Sequence, residues 1–139
     1  MEKYSITAVE LKTMKETQLQ IEADEAETSE EIVLTTQLNG QTISKSDYAY
    51  FPAYQKLRDA LFQAGYGLKC AGSQINAVQS GMMGACEKIY LVKPGEQALK
   101  KDIISLWTYS DQSTFPTTED QTQFFTKWCA SLSQPPSLQ

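Results

Sequence analysis

Ile32-Val33-Leu34-Thr35-Thr36-Gln37-Leu38-Asn39-Gly40-Gln41-Thr42-Ile43 is the stretch on which the fold class turns. Its first seven residues are rich in β-branched and apolar types, which suit a pleated, half-buried strand. Asn39 and Gly40 both accept positive φ, so they form the two central residues of a tight hairpin turn, and Gln41 onwards returns antiparallel. Upstream, Tyr4, Ile6 and Ala8 alternate with Ser5, Thr7 and Val9, and Leu19, Ile21 and Ala23 alternate with Gln20 and Glu22. A period of two predicts strands with one buried and one wet face, and therefore an antiparallel meander at the N-terminus.

Beyond the meander the period changes. Leu57, Ala60, Leu61 and Ala64 fall at helical spacing, Pro52 fits a first turn, and Gly65 stands where a left-handed C′ residue belongs. This predicts a helix over about 51–64, with the lone arginine, Arg58, on its polar side. Gly67-Leu68-Lys69-Cys70 and Cys86-Glu87-Lys88-Ile89-Tyr90-Leu91-Val92 read as strands. The segment 103–109 leaves strand and helix open: its β-branched and aromatic residues favour a strand, and 96–101 suits a helical turn before it. A second helix is expected over about 118–132, capped by Thr118 with Gln121 three residues on, with Phe124, Phe125, Trp128 and Leu132 as a stripe docked on the sheet. Pro135-Pro136 ends it. The expected architecture is α+β: one antiparallel sheet of about six strands carrying two helices, a single domain over 1–134, and a short flexible tail over 135–139.

The chain has 139 residues, 12 Lys plus Arg against 17 Asp plus Glu, a net charge of −5, and no histidine. That balance argues against nucleic acid as a ligand, because phosphate binding needs a positive footprint. The missing histidines remove the usual general base near neutral pH and a principal zinc ligand. No apolar run approaches a membrane span of about 20 residues, and the opening Met1-Glu2-Lys3-Tyr4-Ser5 is expected not to be a leader, since it runs straight into mixed sequence. Three cysteines, Cys70, Cys86 and Cys129, cannot all pair within one chain, so free and mostly buried thiols in a reducing, cytoplasmic compartment are expected, with a Cys70–Cys86 bridge as the exported alternative.

The acidity is local. Residues 1–47 hold 4 lysines and 10 acids, whereas 48–139 hold 8 bases and 7 acids. Seven of the acids lie between Glu16 and Glu31 with no base among them. Like charges there stay in water at a strand connection, and Glu22, Asp24, Glu25, Glu27, Glu30 and Glu31 are the candidate partner-binding residues. A protein partner, such as a basic toxin domain, is the matching chemistry.

Catalytic sets are weak. Cys70 has Lys69 as a neighbour, but adjacent strand residues point to opposite faces. Ser44-Lys45-Ser46 offers a serine and a lysine on what reads as an exposed hairpin end. No catalytic residue, metal ligand set or cofactor is assigned. Gly65, Gly67, Gly72, Gly81 and Gly84 crowd one segment without a phosphate-loop or dinucleotide spacing. Bends and free amides beside Ser73, Asn76, Ser80, Gly81 and Met82 make 72–84 the alternative, ligand-binding or enzymatic, site. The aromatic run Tyr48-Ala49-Tyr50-Phe51-Pro52-Ala53-Tyr54 fills a helix–sheet seam or, if exposed, serves a structural or secretion-accessory assembly.

The stretch 72–82, with the pattern G-x-x-x-N-x-x-x-S-G-M followed by Glu87-Lys88-Ile89-Tyr90, resembles the central part of a set of small uncharacterised bacterial proteins, and the helix from Gln121 to Leu132 is similar too. The resemblance covers about half the chain, omits the acidic third, and implies an immunity-type role against a bacterial toxin. It implies no catalytic residue. The leading expectation is a non-enzymatic binding protein.

Overall fold

The computed structural model describes residues 1–26 and 28–133. Four strands open the chain: β1 (Glu2–Glu10), β2 (Glu16–Glu25), β3 (Ile32–Leu38) and β4 (Gln41–Asp47). Then come helix α1 (Tyr50–Gln63), strands β5 (Tyr66–Leu68), β6 (Ala77–Val78), β7 (Lys88–Leu91) and β8 (Ile103–Ser105), and helix α2 (Thr118–Ser133). Short 3-10 turns occupy Ala71–Ser73, Gly81–Met83 and Lys100–Asp102.

The fold is α+β, with an antiparallel five-stranded sheet in the order β4-β3-β2-β1-β5. Asn39 (φ 51°) and Gly40 (φ 80°) make the two-residue turn between β3 and β4, with Leu38 opposite Gln41. Gly65 (φ 95°) ends α1 as a left-handed residue. Alternation places Ile6, Ala8, Leu19, Ile21, Leu34 and Leu38 on the inner face, where Phe51, Tyr54, Leu57 and Leu61 of α1 meet them. Because α1 touches β3, β4 and β5, the sheet curls around the helix.

The expected single sheet of about six strands is instead two sheets, the five-stranded one and a three-stranded one in the order β6-β7-β8. β5 stops at Leu68, and the chain leaves its edge through a Cys70–Tyr109 bridge and the turn at Ala71–Ser73, so β7 has no strand to join there. β7 pairs instead with β6, which lies inside the segment read as an irregular loop, and with β8. Both sheets share one core, to which β7 gives Ile89 and the turn after β8 gives Leu106 and Trp107.

Other expectations are corrected. Arg58 is not a surface cation; it is 1 % exposed. The α2 cap is Thr117 with Asp120, each backbone N–H bonding the other's side chain at 3.0 and 3.3 Å, which frees Gln121 to turn inward. The stripe on α2 does not dock on the large sheet: α2 rests against α1 and β6, Gln121 is its buried residue, and Phe125 is 43 % exposed. Val9 is buried rather than wet, because Val9 stands opposite Gly67, and the Phe115 ring lies over Gly67 on that shared face. Of the thiols only Cys70 is buried, and all three are free. The tail 135–139 lies outside the described residues.

Candidate functional site

The acids of the first third do not stay together. Glu16 starts β2 and is held by Lys69 at 2.7 Å, at the opposite end of the strand from Asp24 and Glu25. A ten-residue strand spans roughly 30 Å, so Glu16 belongs to a different neighbourhood. At the far end, strand alternation puts Glu22 and Asp24 on the outer face, opposite to buried Ile21 and Ala23. Glu25 closes the strand across from Ile32, and the Ala26 N–H donates to the Glu31 carbonyl at 2.9 Å, which brings Glu30 and Glu31 back beside it. Glu31 also accepts from the Ser46 hydroxyl at 2.8 Å. Glu27 lies outside the described residues.

Register adds an acid that sequence reading passed over. Glu2 stands opposite Ala23, so the start of β1 brings another carboxylate to the same sheet end, where it accepts a hydrogen bond from the Tyr4 hydroxyl. A cleft of about 330 Å³ opens there, lined by Met1, Glu2, Asp24, Glu25, Ile32 and Tyr50 among others. The signal for Glu2 was present only in the pairing, which alternation alone does not supply.

Ion pairs hold other acids: Glu16 and Asp111 with Lys69, Asp47 with Lys56 at 3.0 Å, Asp59 with Arg58 at 2.9 Å. Glu10, Glu96, Glu119 and Asp120 are unpaired too among the described residues, so what sets the sheet end apart is that its unpaired acids lie together. Among the described residues, no ammonium or guanidinium comes within 4.0 Å of Glu2, Glu22, Asp24, Glu25, Glu30 or Glu31. Lys3, although the cross-strand neighbour of Glu22, does not pair with it. The sheet end thus carries acids on both faces, Glu2 and Glu25 on the side of Ala23 and Glu22 and Asp24 on the other, beside Lys3 and Met1. Its net charge is negative and can attract a positively charged partner.

The segment 72–84 is built differently from a ligand loop. Ser73 is buried and its hydroxyl meets that of Tyr54. The Asn76 side-chain amide donates to the Val92 carbonyl at 3.0 Å, fastening the chain beside β6 and β7. Ser80, Gly81 and Met82 face solvent, with Met82 99 % exposed. These five residues therefore do not converge. The polar groups that do converge nearby are Gln79, Gln55 and Gln121, around a cavity of about 160 Å³ between α1, α2 and β6. Small-molecule sites usually run from about 300 Å³ upward.

The reactive side chains are separated likewise. Cys70 lies in the core, its thiol 3.0 Å from the Tyr54 hydroxyl; burial, above all, pushes its pKa up to about 11 despite hydrogen bonds from Tyr54 and Ser73. Lys69 points outward to Glu16 and Asp111. Ser44 bonds Thr35 across the strands at 2.9 Å and Ser46 bonds Glu31, while Lys45 alternates to the other face. Among the described residues no group of three His, Cys, Asp or Glu side chains is placed to hold a metal ion, and no helix is long and apolar enough to cross a membrane. In the aromatic run, Tyr50, Phe51 and Tyr54 are core and Tyr48 is 71 % exposed, so no broad aromatic patch forms.

No protein-family model matches the chain, and no curated protein matches its sequence.

Proposed function

We propose that the protein is a non-enzymatic binding protein of the bacterial cytoplasm, of the immunity type, that engages a basic partner such as a toxin domain through its acidic sheet end. The observation that carries this reading is the gathering of Glu2, Glu22, Asp24, Glu25, Glu30 and Glu31 at one end of the large sheet, none with a cation within 4.0 Å among the described residues. Carboxylates without an internal cation keep their charge uncompensated in the free protein and can gain a counter-charge on binding. Complementary charge steers encounter and selects among partners more than it adds affinity. The curled sheet supplies a rigid frame, because β1, β2 and β3 fix the spacing of the acids by their register.

Co-expression with basic bacterial toxin domains, read as growth rescue, tests the role directly. Association measured at several salt concentrations tests the surface. Glu22→Lys, Asp24→Lys and Glu25→Lys together are expected to slow association by about 10- to 100-fold at low salt. Unchanged association and unchanged salt dependence in that variant would dismiss the acidic end as the docking site.

A further inference from the structure

We infer that β4 is a pairing edge for a second copy of this chain, joined antiparallel about Ser44 into one continuous sheet of two copies. The inference starts from hydrogen-bond parity. β3 and β4 are joined by a two-residue turn, with Leu38 opposite Gln41, and their register runs unbroken to Ile32 opposite Asp47. In such a hairpin Gln41, Ile43, Lys45 and Asp47 exchange bonds with β3, while the N–H and C=O of Thr42, Ser44 and Ser46 point away from it. Lys56 supports that parity: its ammonium reaches the Ser46 carbonyl from outside at 3.0 Å.

Among the described residues, none bonds the remaining outward groups. The opposite edge of the same sheet, β5, is closed by continuing chain: the Lys69 carbonyl accepts from Ser110, and Ala71 donates to the Thr108 carbonyl. In the small sheet β6 has two residues and β8 three. Among the described strands, β4 is the one long edge, with seven residues, no bulge and no proline. Natural edges are usually blunted by bulges, prolines or charges; β4 has only Lys45 and, at its end, Lys56 on the Ser46 carbonyl, and an edge without bulge or proline is a template for another strand.

Charge selects the occupant and the register. With a two-fold axis at Ser44, Thr42 meets Ser46 of the second copy and Ser44 meets Ser44, so the outward groups find partners over the full strand, the Ser46 carbonyl exchanging its Lys56 ammonium for the Thr42 N–H of the second copy. Lys45 then faces Ile43 and Asp47 faces Gln41, with no like charges directly opposed. Moving the axis to Lys45 sets two ammoniums face to face, and moving it to Thr42 or Ser46 shortens the overlap. The self-complementary edge therefore fits a second copy as an isologous pair.

The full chain should show a concentration-dependent mass, rising from 15.6 kDa towards twice that value in sedimentation or light scattering between about 10 µM and 1 mM. Ser44→Lys places like charges at the axis and should raise the dimer dissociation constant at least about tenfold, with the circular dichroism melt showing that the monomer still folds. In a Cys86→Ser, Cys129→Ser background, Ser44→Cys should cross-link to a covalent dimer under mild oxidation, whereas Lys12→Cys, away from the edge, should not. A mass that stays at one chain up to 1 mM, as for an edge kept for another protein's strand, overturns the inference. So does a dimer that Ser44→Lys leaves intact.

Discussion

The guanidinium of Arg58 donates to the side-chain oxygen of Gln121 at 2.9 Å, and through this bond α1 and α2 are joined inside the protein. The Gln121 amide is fully used: its oxygen also accepts from Gln55 at 3.0 Å, and its nitrogen donates to the carbonyls of Gly72 and Gln74 at 2.9 and 2.7 Å. Arg58 in turn donates to Asp59 and Thr118 and lies 5.8 Å from the Tyr54 ring centre. Asp59 also accepts from the Thr118 N–H at the start of α2, at 3.2 Å. α2 is thus attached through polar groups at its first turn, and its aromatic side chains add little burial.

Gln121→Ala leaves the Arg58 and Gln55 donors and two backbone carbonyls without their partner. Each buried orphan costs about 1–3 kcal/mol, and partial resolvation lowers the sum, so a loss of about 3 kcal/mol is expected in urea denaturation. Hydrogen exchange should speed up across 118–133 more than across β1 to β3. Uniform acceleration over the whole chain would show that α2 is not attached in this way.

Two glycines give a graded test of packing. A Cβ at Gly72 would meet Tyr54 at 2.8 Å and Leu106 at 3.0 Å, and the Tyr54 ring is pinned by Cys70 and Ser73 with no exposure. A Cβ at Gly67 would meet the Phe115 ring at 2.6 Å, but Phe115 is half-buried and can swing outward. Overpacking costs about 1–3 kcal/mol. Gly72→Ala should fall at the upper end and Gly67→Ala at the lower, and Phe115→Ala should relieve the second substitution only. Equal losses in chemical denaturation would contradict the ordering.

Thiol labelling separates the three cysteines. Cys129 is exposed, Cys86 half-buried and Cys70 fully buried, so a disulfide reagent should modify them in that order, with Cys70 reacting only at the rate of unfolding. Because the Cys70 pKa rises from 9.0 to about 11 in the fold, the native state keeps a proton that the unfolded chain loses. Stability should therefore fall as pH rises through that window, and Cys70→Ala should shrink the fall.

The acid limb has the opposite sign. Asp111 is held below its ordinary pKa by the hydrogen bond from the Lys69 ammonium, and Asp102 by that from the Leu99 N–H. Their folded pKa values lie below the unfolded ones, so the stability they add is present above about pH 4 and is lost as pH falls below it. Asp111→Asn and Asp102→Asn should each reduce the shift of the urea midpoint between neutral and acid pH. An unaltered shift would remove these pairs as its source.

The meander was legible because its signals are local. Alternation sets the buried face of β1 and β2, and Asn39-Gly40 sets the turn, whatever the rest of the chain does. Gly65 and the period of α1 were legible for the same reason. Arg58 was not. It follows Tyr54 by one helical turn and shares its buried face, but its partners, Thr118 and Gln121, come from about 60 residues further on. Periodicity on α2 identified an apolar face without saying what covers it. The partition into two sheets escaped too, since strand neighbours are decided where the chain leaves β5. At the candidate site, the acids from Glu22 to Glu31 could be read along the chain. Glu2 required the β1–β2 register, and the exclusion of Glu16 required Lys69.

The two tryptophans stand in unlike surroundings. Trp107 is 6 % exposed, stacks on Tyr4 with ring centres 5.3 Å apart, and donates to the Tyr50 hydroxyl at 3.0 Å. Trp128 lies half-buried on α2, its indole N–H bonded to the Glu96 carbonyl at 2.9 Å. The molecule consequently carries two built-in optical gauges, one for the dry interior and one for its outermost helix. Replacing either indole by phenylalanine leaves emission that follows the other region alone, so detachment of α2 and melting of the sheets can be timed separately without attaching a dye.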